Sequence, residues 1–357
     1  MKHTALLLAA LALPLPAAVS TTGERNVEEI VFAPSAGSKV TKTFENVMDF
    51  VLEDMSVLMN GEEAPFMGDM EMDMTSTTVV AVTDEYARMG EGRPEVLRRT
   101  FDDIGMEMDM EMSMEVMGQV QDQAPTGSGS SPLEGKTVVF TDNEGAYEVA
   151  WAEGEEDDPE LIDGLVEDMD LRALLPPGSV AVGESWEIEL MGLVDLYAPG
   201  GDLKMDVEMD MGGADMMGGG GMDPAHMREY FGELMEGDAR ATLASVRDDG
   251  GQRIAVIDLA IEIDTSADVS ELMNEQMEGM PQGMEVSLDR ADVELSIQST
   301  GQLLWNLSAG HVQGLTLEGD TEFAMDIEMS MDMAGQAMDM EMSMEMSGTS
   351  ETNLSVE

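Results

Sequence analysis

The sequence predicts an α+β fold that is predominantly β. It would be built on one large, curved, half-barrel-like antiparallel sheet of long strands with two or three short covering helices. Two observations support this prediction. Segments in which apolar and polar residues alternate occupy most of the chain, and turn-forming residues separate them. Two or three further segments carry apolar residues at helical spacing, which suits helices that cover one side of a sheet.

The first segment, residues 1–20, has the features of an export signal. A basic start at Lys2 precedes the apolar run Ala5–Leu13, and Ala18 and Ser20 supply the small residues that a cleavage site needs. We expect cleavage near Ser20. The apolar run is too short for a transmembrane helix, and the chain has no cysteine for a disulfide or lipid attachment. The sequence therefore predicts a soluble periplasmic or secreted protein without a transmembrane segment.

The charge of the chain limits its partners. The formal net charge is −59, from 75 acidic and 16 basic residues. Nucleic acid is excluded as a partner because phosphate binding needs the opposite sign, and anionic membrane surfaces are disfavoured for the same reason. Such a charge also repels itself, and dissolved salt screens this repulsion over about 10 Å or less. Solubility in salty surroundings is one explanation of the charge, and weak binding of divalent cations is the other.

The N-terminal β region, residues 21–118, opens with an ambiguous segment. Lys39–Met59 fits a helical stripe, but read as a strand it places Phe44 and Leu52 on one face. Asn60-Gly61 follows and is typical of a tight hairpin turn. Asp69–Thr83 then alternates methionine with acidic residues before it becomes rich in threonine and valine, which favours strand. We predict a long hairpin here, while the helical interpretation of Lys39–Met59 stays open.

The segment Gln119–Gly135 is polar and has no apolar periodicity, so we interpret it as a flexible linker or surface loop. It would separate the N-terminal β region from a C-terminal α+β region, residues 136–357. The two regions could also form one continuous β unit.

The C-terminal region begins with the hairpin Lys136–Trp151, whose turn is "DNEG". A helix is predicted from Asp158, with Pro159 at its first position and an apolar stripe that reaches Met169. A second helix is predicted between Asp223 and Gly237, and a short third one over Asp268–Met277.

The rest of this region is predicted to be antiparallel strands. The expected strands are Ala239–Val246, Arg253–Asp264, Val286–Gln298, Gln302–Asn306, Val312–Glu318, Glu322–Met333 and Met338–Met346. The turns between the last five are expected at Ser299–Gly301, Leu307–Gly310 and Ala334–Ala337.

The octapeptide "MDMEMSME" occurs twice, at Met108–Glu115 and Met338–Glu345. Side chains alternate between the two sides of a strand, so a strand puts every methionine on one side and the acidic residues on the other. A helix would scatter the methionines around its circumference. Methionine and glutamate are good helix formers, but the strict alternation favours strand. A hairpin of Met325–Met333 with Met338–Met346 would also bring rows of carboxylates face to face.

Three interpretations of the methionine side remain open. It is a closed core in which methionine replaces Val, Leu and Ile, an open groove for a lipid or other apolar ligand, or a soft-metal site for Cu(I) or Ag(I). Candidate ligand-facing residues for the groove are Met106, Met108, Met110, Met112, Met114, Met329, Met331 and Met333. Candidate metal ligands are Met338, Met340, Met342, Met344 and Met346. Known soft-metal sites usually add His or Cys, which are scarce here.

No catalytic motif is present, and with 75 acidic residues no carboxylate pair can be singled out. We therefore predict a non-enzymatic protein without a cofactor, structural or binding a hydrophobic ligand through the methionine-lined side of its sheet. The alternative is a metal-binding protein that holds Cu(I) or Ag(I) through thioethers or Ca²⁺ through ladders of carboxylates. The oligomeric state stays open.

Four segments resemble an uncharacterised family of exported bacterial β-sheet proteins, a domain of unknown function. They are "GRPEVLRRTFDDI" (Gly92–Ile104), "SPLEGKTVVF" (Ser131–Phe140), "LLPPGSVAVGESWEI" (Leu174–Ile188) and "TGQLLWNLSAGHVQGLTLEG" (Thr300–Gly319). The resemblance implies export and β architecture, and no activity. The last segment is also similar in architecture to bacterial lipoprotein carriers, whose open half-barrel sheet shelters apolar cargo.

Overall fold

The computed structural model describes residues 27–63, 70–116, 119–155, 158–210, 235–270, 274, 285–333 and 336–357. Strands account for 69% of the described structure and helical turns for 6%, which confirms the predominantly β fold. None of the helices in the described ranges is long and apolar enough to cross a membrane.

The strands are numbered in chain order over the described residues. They are β1 (Val27–Glu28), β2 (Lys39–Met59), β3 (Glu62–Glu63), β4 (Met70–Met89), β5 (Pro94–Val116), β6 (Gln119–Gln123), β7 (Thr126–Ser130), β8 (Thr137–Asn143), β9 (Ala146–Trp151), β10 (Val180–Ala181), β11 (Ser185–Glu187), β12 (Asp206–Asp210), β13 (Glu236–Asp249), β14 (Gln252–Asp268), β15 (Glu285–Asn306), β16 (His311–Met333) and β17 (Gln336–Val356). The helical elements are three 3-10 turns and one short helix, namely Pro159–Ile162, Arg172–Leu174, Leu190–Leu193 and α1 (Val194–Tyr197).

Fifteen of these strands form one antiparallel sheet, and β1 and β10 form a separate pair. Along the sheet the order is β11-β13-β14-β15-β16-β17-β2-β4-β5-β7-β12, with β3, β6, β8 and β9 attached beside this path. β2 pairs with β17, so strands from the N-terminal and C-terminal regions are neighbours in the same sheet. Because the order starts at β11 and ends at β12, the sheet is open.

Tight turns connect long strands at Asn60-Gly61, as the sequence predicts, and at Gly250-Gly251 between β13 and β14. Asn60 and Gly61 have φ values of 53° and 77°, and Gly250 and Gly251 have 60° and 89°. Two consecutive residues in the left-handed region make the turn whose twist matches a hairpin, which explains the Asn-Gly and Gly-Gly pairs. Lys39–Met59 is a single strand, β2, so the helical alternative is wrong.

The core lies between one side of the sheet, called the inward side, and residues 158–205 apart from β11, called the cap segment. Phe44, Leu303 and Trp305 project from the inward side and are almost fully buried. Met169 and Leu196 of the cap segment belong to the same buried cluster. The cap segment therefore seals one half of the inward side.

The predicted helix after Asp158 is mostly wrong. Asp158 does cap a helical turn, since its Oδ1 accepts a hydrogen bond from the Glu160 backbone N–H at 3.0 Å, but the turn ends at Ile162. Gly164 has a φ of 81°, a conformation that cannot continue a right-handed helix. The apolar residues that follow are still buried, as irregular chain.

Two other helix predictions fall partly outside the described residues. Most of the helix predicted between Asp223 and Gly237 lies outside the described residues. At its end, Gly237 belongs to β13 and has a φ of 147°. For the helix predicted over Asp268–Met277, Asp268 ends β14, and Ser270 and Asn274 are helical.

The segment Gln119–Gly135, which was predicted as a linker or loop, contains two strands. Within Gln119–Gly135, β6 pairs with β5, and β7 lies between β5 and β12. These strands are near the edge of the sheet, so their side chains reach water and need no apolar period. Gly129 also lies against Met106, whose Cβ would be 3.0 Å from a Cβ at that glycine. A glycine is typical of such close approaches as well as of loops.

The predicted turn at Ser299–Gly301 is also wrong, because β15 runs through it without a break. A Cβ on Gly301 would lie 2.0 Å from the Thr316 carbonyl oxygen, so this glycine lets β16 approach closely. β16 is likewise one strand where two were predicted. Half of the predicted turn Ala334–Ala337 lies outside the described residues, and its last two residues begin β17.

Candidate ligand-binding face

The half of the inward side that lies beyond the cap segment is lined by methionine. These side chains come from β2, β4, β5, β16 and β17, share one side of the sheet by register, and are all half-buried. We call this set the methionine face: Met55, Met59, Met70, Met72, Met74, Met106, Met108, Met110, Met112, Met325, Met329, Met338, Met340, Met342, Met344 and Met346.

The strand register brings most of the candidate methionines together. One row runs Met329, Met340, Met59 across β16, β17 and β2, and a second runs Met325, Met344, Met55. Directly opposed residues have Cβ atoms about 4.5–5.5 Å apart, so each row is a continuous apolar surface. The candidates Met114, Met331 and Met333 lie in the same strands, opposite Met70, Met338 and Gln336 by backbone register.

The methionine face has two arms. β2 and β4 pair as far as Val51 and Asp73, and Phe50 opposite Met74 is the last inward pair. Beyond this point β2 continues against β17 and β3, and β4 continues against β5. Met106, Met108, Met110 and Met112 therefore lie on one arm, and Met338–Met346 on the other. The arms meet at Phe50 and Met74.

Part of the larger arm, which β16, β17 and the end of β2 form, packs around a small buried cluster. Leu288, Ala291 and Ile327 form its centre, and Met325, Met329 and Met342 contact them while staying half-buried. The methionines therefore surround a small core with one part of each side chain and reach the surface with the rest.

On the opposite side of the sheet some carboxylates face each other, such as Asp73 and Glu111 or Glu318 and Glu351, whereas others are separated by small polar residues. One row runs Asp320, Thr349, Asp49, Thr75, Asp109 over five strands, so threonine stands between successive aspartates. Thr75 Oγ1 donates a hydrogen bond to Asp49 Oδ1 at 2.6 Å. At each such contact a hydrogen-bond donor, and not a second carboxylate, lies opposite the aspartate, so the like-charge repulsion is avoided.

The prediction that Met325–Met333 and Met338–Met346 bring rows of carboxylates face to face is mostly wrong. Asp326 lies opposite Ser343, and Glu345 lies opposite Ala324. Glu328 does oppose Glu341, and there Arg290 Nη1 lies 3.3 Å from Glu328 Oε1.

The polar side also bends into an open trough of about 890 Å³ that six strands line. Its acidic lining residues are Asp49, Asp238, Glu262, Glu318, Asp320 and Glu351. Across the described ranges, no group of three or more His, Cys, Asp or Glu side chains is arranged to hold a metal ion. The trough is a solvated polar surface, consistent with threonines and serines between its carboxylates.

A buried ion network, which the sequence reading missed, lies where the cap segment meets the sheet. It consists of Lys42, Asp84, Tyr86, Arg99 and Asp170, all with no exposed surface. Arg99 Nε and Nη2 donate to the two oxygens of Asp84 at 2.7 and 2.9 Å, and Lys42 Nζ lies 2.8 Å from both Asp84 and Asp170. The Tyr86 hydroxyl donates to Asp170 at 2.7 Å.

The network fastens the cap segment to the sheet. Lys42, Asp84 and Arg99 come from β2, β4 and β5, and Asp170 comes from the cap segment. Arg99 also donates to the backbone carbonyl oxygens of Val166 and Glu167, at 2.9 and 2.8 Å. With the two bonds to Asp84, these carbonyls occupy four of the five N–H donors of the guanidinium group, which suits a buried arginine.

The pKa values report the same environment. Burial acts to raise the pKa of Asp84, but Arg99 and Lys42 outweigh it and lower this pKa to about 2. At the edge of the network, burial raises the pKa of Glu167 to about 7 although Arg172 opposes the shift. One carboxyl oxygen of Glu167, Oε1, is buried without a hydrogen-bond partner. All five side chains of the network are fully buried, and their bonds join the cap segment to the sheet.

Comparison with known proteins gives no family for this chain. No family model matches it, and no curated protein matches it. The outer membrane protein OprG from Pseudomonas aeruginosa aligns over 90% of this chain and 98% of its own, with 8% identity and a TM-score of 0.20. OccK7 (OpdD) of the same organism covers 88% and 99%, with 7% identity and a TM-score of 0.14. Likenesses at these TM-scores carry no argument about this protein.

Proposed function

We propose that this protein acts outside the cytoplasm as a non-enzymatic binder of apolar ligands, and that the methionine face is its binding surface. One observation carries the proposal. The same side of the same strands is fully buried where the cap segment covers it and only partly buried where methionine replaces the aliphatic residues.

The contrast between the two halves argues against a purely structural role. Leu303 and Leu315, on the capped half of β15 and β16, are 0% and 3% exposed. Farther along β16, Met325 and Met329 on the same side are only half-buried. Each methionine left in water forgoes part of the roughly 1.5–3 kcal/mol that burial would supply. A ligand that covers the face would recover this free energy.

The choice of methionine also favours binding. Methionine is flexible and polarizable, so a surface made of it adapts to apolar molecules of different shape. Soluble monomers rarely expose large contiguous apolar patches, and such patches are typically interaction sites. The export signal expected at residues 1–20 and the resemblance to exported β-sheet proteins support a location in the periplasm or outside the cell.

The test is binding of a neutral apolar fluorophore, diphenylhexatriene, to purified full-length protein. Met342→Gln places a polar group in the centre of the larger arm, between Ile327 and Val57, and should weaken binding at least about tenfold if the side chain is buried by ligand. Ser343→Gln is the matched control, because it adds a similar side chain on the other side of the same strand. No binding by the unmodified protein, or equal effects of the two variants, would contradict the proposal.

A further inference from the structure

The methionine face carries no positive charge of its own. In the described strands, none of the residues paired with a member of the face is Lys or Arg. Lys42 and Arg99 occupy inward positions on β2 and β5, but both are fully buried and paired with carboxylates. Arg290 lies near the face but on the other side of the sheet, where it pairs with Asp292 and Glu328.

Negative charge surrounds the face on the same strands. The residues between its methionines include Asp326, Glu328, Glu341 and Glu345, which project from the opposite side and are exposed. A sheet with its side chains is about 10 Å thick, which is comparable to the screening length of about 8–10 Å at moderate salt, so these carboxylates act through it with reduced strength. With a net charge of −59 for the whole chain, the potential at the face is negative.

One carboxylate lies on the methionine side itself. Glu62 of β3 is directly opposite Met59 of β2. Opposed residues of an antiparallel pair project to the same side, so Glu62 stands at the rim of the row that contains Met59, Met340 and Met329. Its side chain is exposed. An apolar row that ends in an accessible carboxylate matches a molecule with an apolar body and a positive head.

We infer that the natural occupant of the methionine face is a cationic amphiphile, with its apolar body on the methionines and its positive head group at Glu62. The inference rests on the proposed function and specifies its ligand class. A neutral apolar molecule gains only the burial of its surface here. A cationic one gains the same burial together with attraction to Glu62 and to the surrounding field, and an anionic one is repelled.

Three fluorophores with the same apolar body test the inference. They are diphenylhexatriene, its trimethylammonium derivative and its propionic acid derivative, which are neutral, cationic and anionic. At about 0.01 M salt the cationic probe should bind at least about tenfold more tightly than the anionic one, since surface potentials of highly charged proteins reach several kT. At about 1 M salt, where screening acts within about 3 Å, the two affinities should converge.

Two variants with the same change of formal charge test the position of the head group. Glu62→Gln should weaken binding of the cationic probe up to about fivefold, the usual worth of an exposed ion pair, and leave the neutral probe unchanged. Glu341→Gln removes a charge on the other side of the sheet and should have a smaller effect. Equal effects of the two variants on the cationic probe would overturn the assignment of Glu62.

The outcomes separate this inference from the proposed function. If all three probes bind with equal affinity at low salt, the face binds apolar ligands but the preference for cations is wrong. If the anionic probe binds most tightly, the inference is also wrong. If none of the three binds, the proposed function falls and the inference falls with it.

Discussion

Replacing Asp84 with asparagine should strongly destabilise the protein through the buried ion network. The carboxylate of Asp84 accepts two hydrogen bonds from Arg99, at 2.7 and 2.9 Å, and an ion pair from Lys42 at 2.8 Å. Asparagine keeps the shape but removes the negative charge. Among these residues, Lys42 would then keep one carboxylate partner, Asp170, at 2.8 Å. Arg99 would keep its bonds to the carbonyl oxygens of the cap segment but would lose its carboxylate partner.

The magnitude follows from the burial of all these groups. Removing one partner of a fully buried ion pair costs about 3–5 kcal/mol, because the remaining charge is left uncompensated away from water. Proteins are stable by only about 5–15 kcal/mol, so the change would consume a large part of the free energy of unfolding. The double variant with Arg99→Gln should cost less than the sum of the two single variants, since it removes both members of the pair.

Urea unfolding followed by circular dichroism measures these costs. The control is Asp258→Asn, whose exposed carboxylate accepts a hydrogen bond from Gln302 at 2.9 Å and should contribute no more than about 1 kcal/mol. The penalty for Asp84→Asn should persist at about 1 M salt, because buried pairs are poorly screened. A penalty below about 1 kcal/mol, or one that matches the control, would refute the reasoning.

Four further predictions concern charge, packing and chemistry. Burial raises the pKa of Glu167 from 4.5 to about 7, so the folded state binds an extra proton and loses stability as the pH rises through this window. The free energy of unfolding of Glu167→Gln relative to the natural protein should therefore increase by up to about 3 kcal/mol between pH 5 and pH 8. A difference that does not depend on pH would contradict this. Gly301→Ala should destabilise because its Cβ would meet a carbonyl oxygen at 2.0 Å, whereas Gly105→Ala, with nothing within 4 Å of its Cβ, should be neutral in the same melting experiment. Dilute peroxide should oxidise the methionine face before Met169, which has no exposed surface, and peptide mapping by mass spectrometry would reveal the reverse order. Added salt should raise the melting temperature by screening the net charge of −59, and an unchanged value up to about 0.5 M would mean that self-repulsion is weak.

The strands of the methionine face could be predicted because their sequence has a single consistent period. In Met338–Met346 the alternation is unbroken, and only a strand gathers the methionines on one side. The same argument predicts the pairing of this segment with Met325–Met333, which the register confirms. Helix propensity points the other way for both segments, so here the period outweighs the preference of individual residues.

Small residues account for two of the wrong predictions. Ser299–Gly301 and Gln119–Gly135 contain the glycine and serine that are typical of turns and linkers, yet both contribute to strands. Their small size serves the close approach of neighbouring strands, a property that depends on residues far away in the sequence. A single sequence gives the identity of a small residue but not the neighbouring strand that packs against it.

The buried ion network has a signal in the sequence. Lys42 stands between Val40 and Phe44 at an inward position of its strand. Asp84 stands in the same way between Val82 and Tyr86, and Arg99 between Leu97 and Phe101. A charged residue on the apolar side of a strand predicts a buried partner. Asp170, which comes from the cap segment, could not be identified as that partner without the fold.

The spacing of carboxylates and small polar residues also has a consequence for how the chain finds its register. A methionine at every second position looks the same after a slip of two residues, so apolar contacts alone cannot reject that error. In the native pairing Asp326 meets Ser343. A slip of two residues in either direction would bring Asp326 opposite Glu341 or Glu345, at a cost of a few tenths to about 1 kcal/mol for each like-charged pair. Either slip would also separate the native pairs Glu328–Glu341 and Glu318–Glu351, so the number of opposed acidic pairs between β16 and β17 would rise from two to three. The polar side thus disfavours, by about one like-charged pair, alignments that the repetitive methionine side does not distinguish.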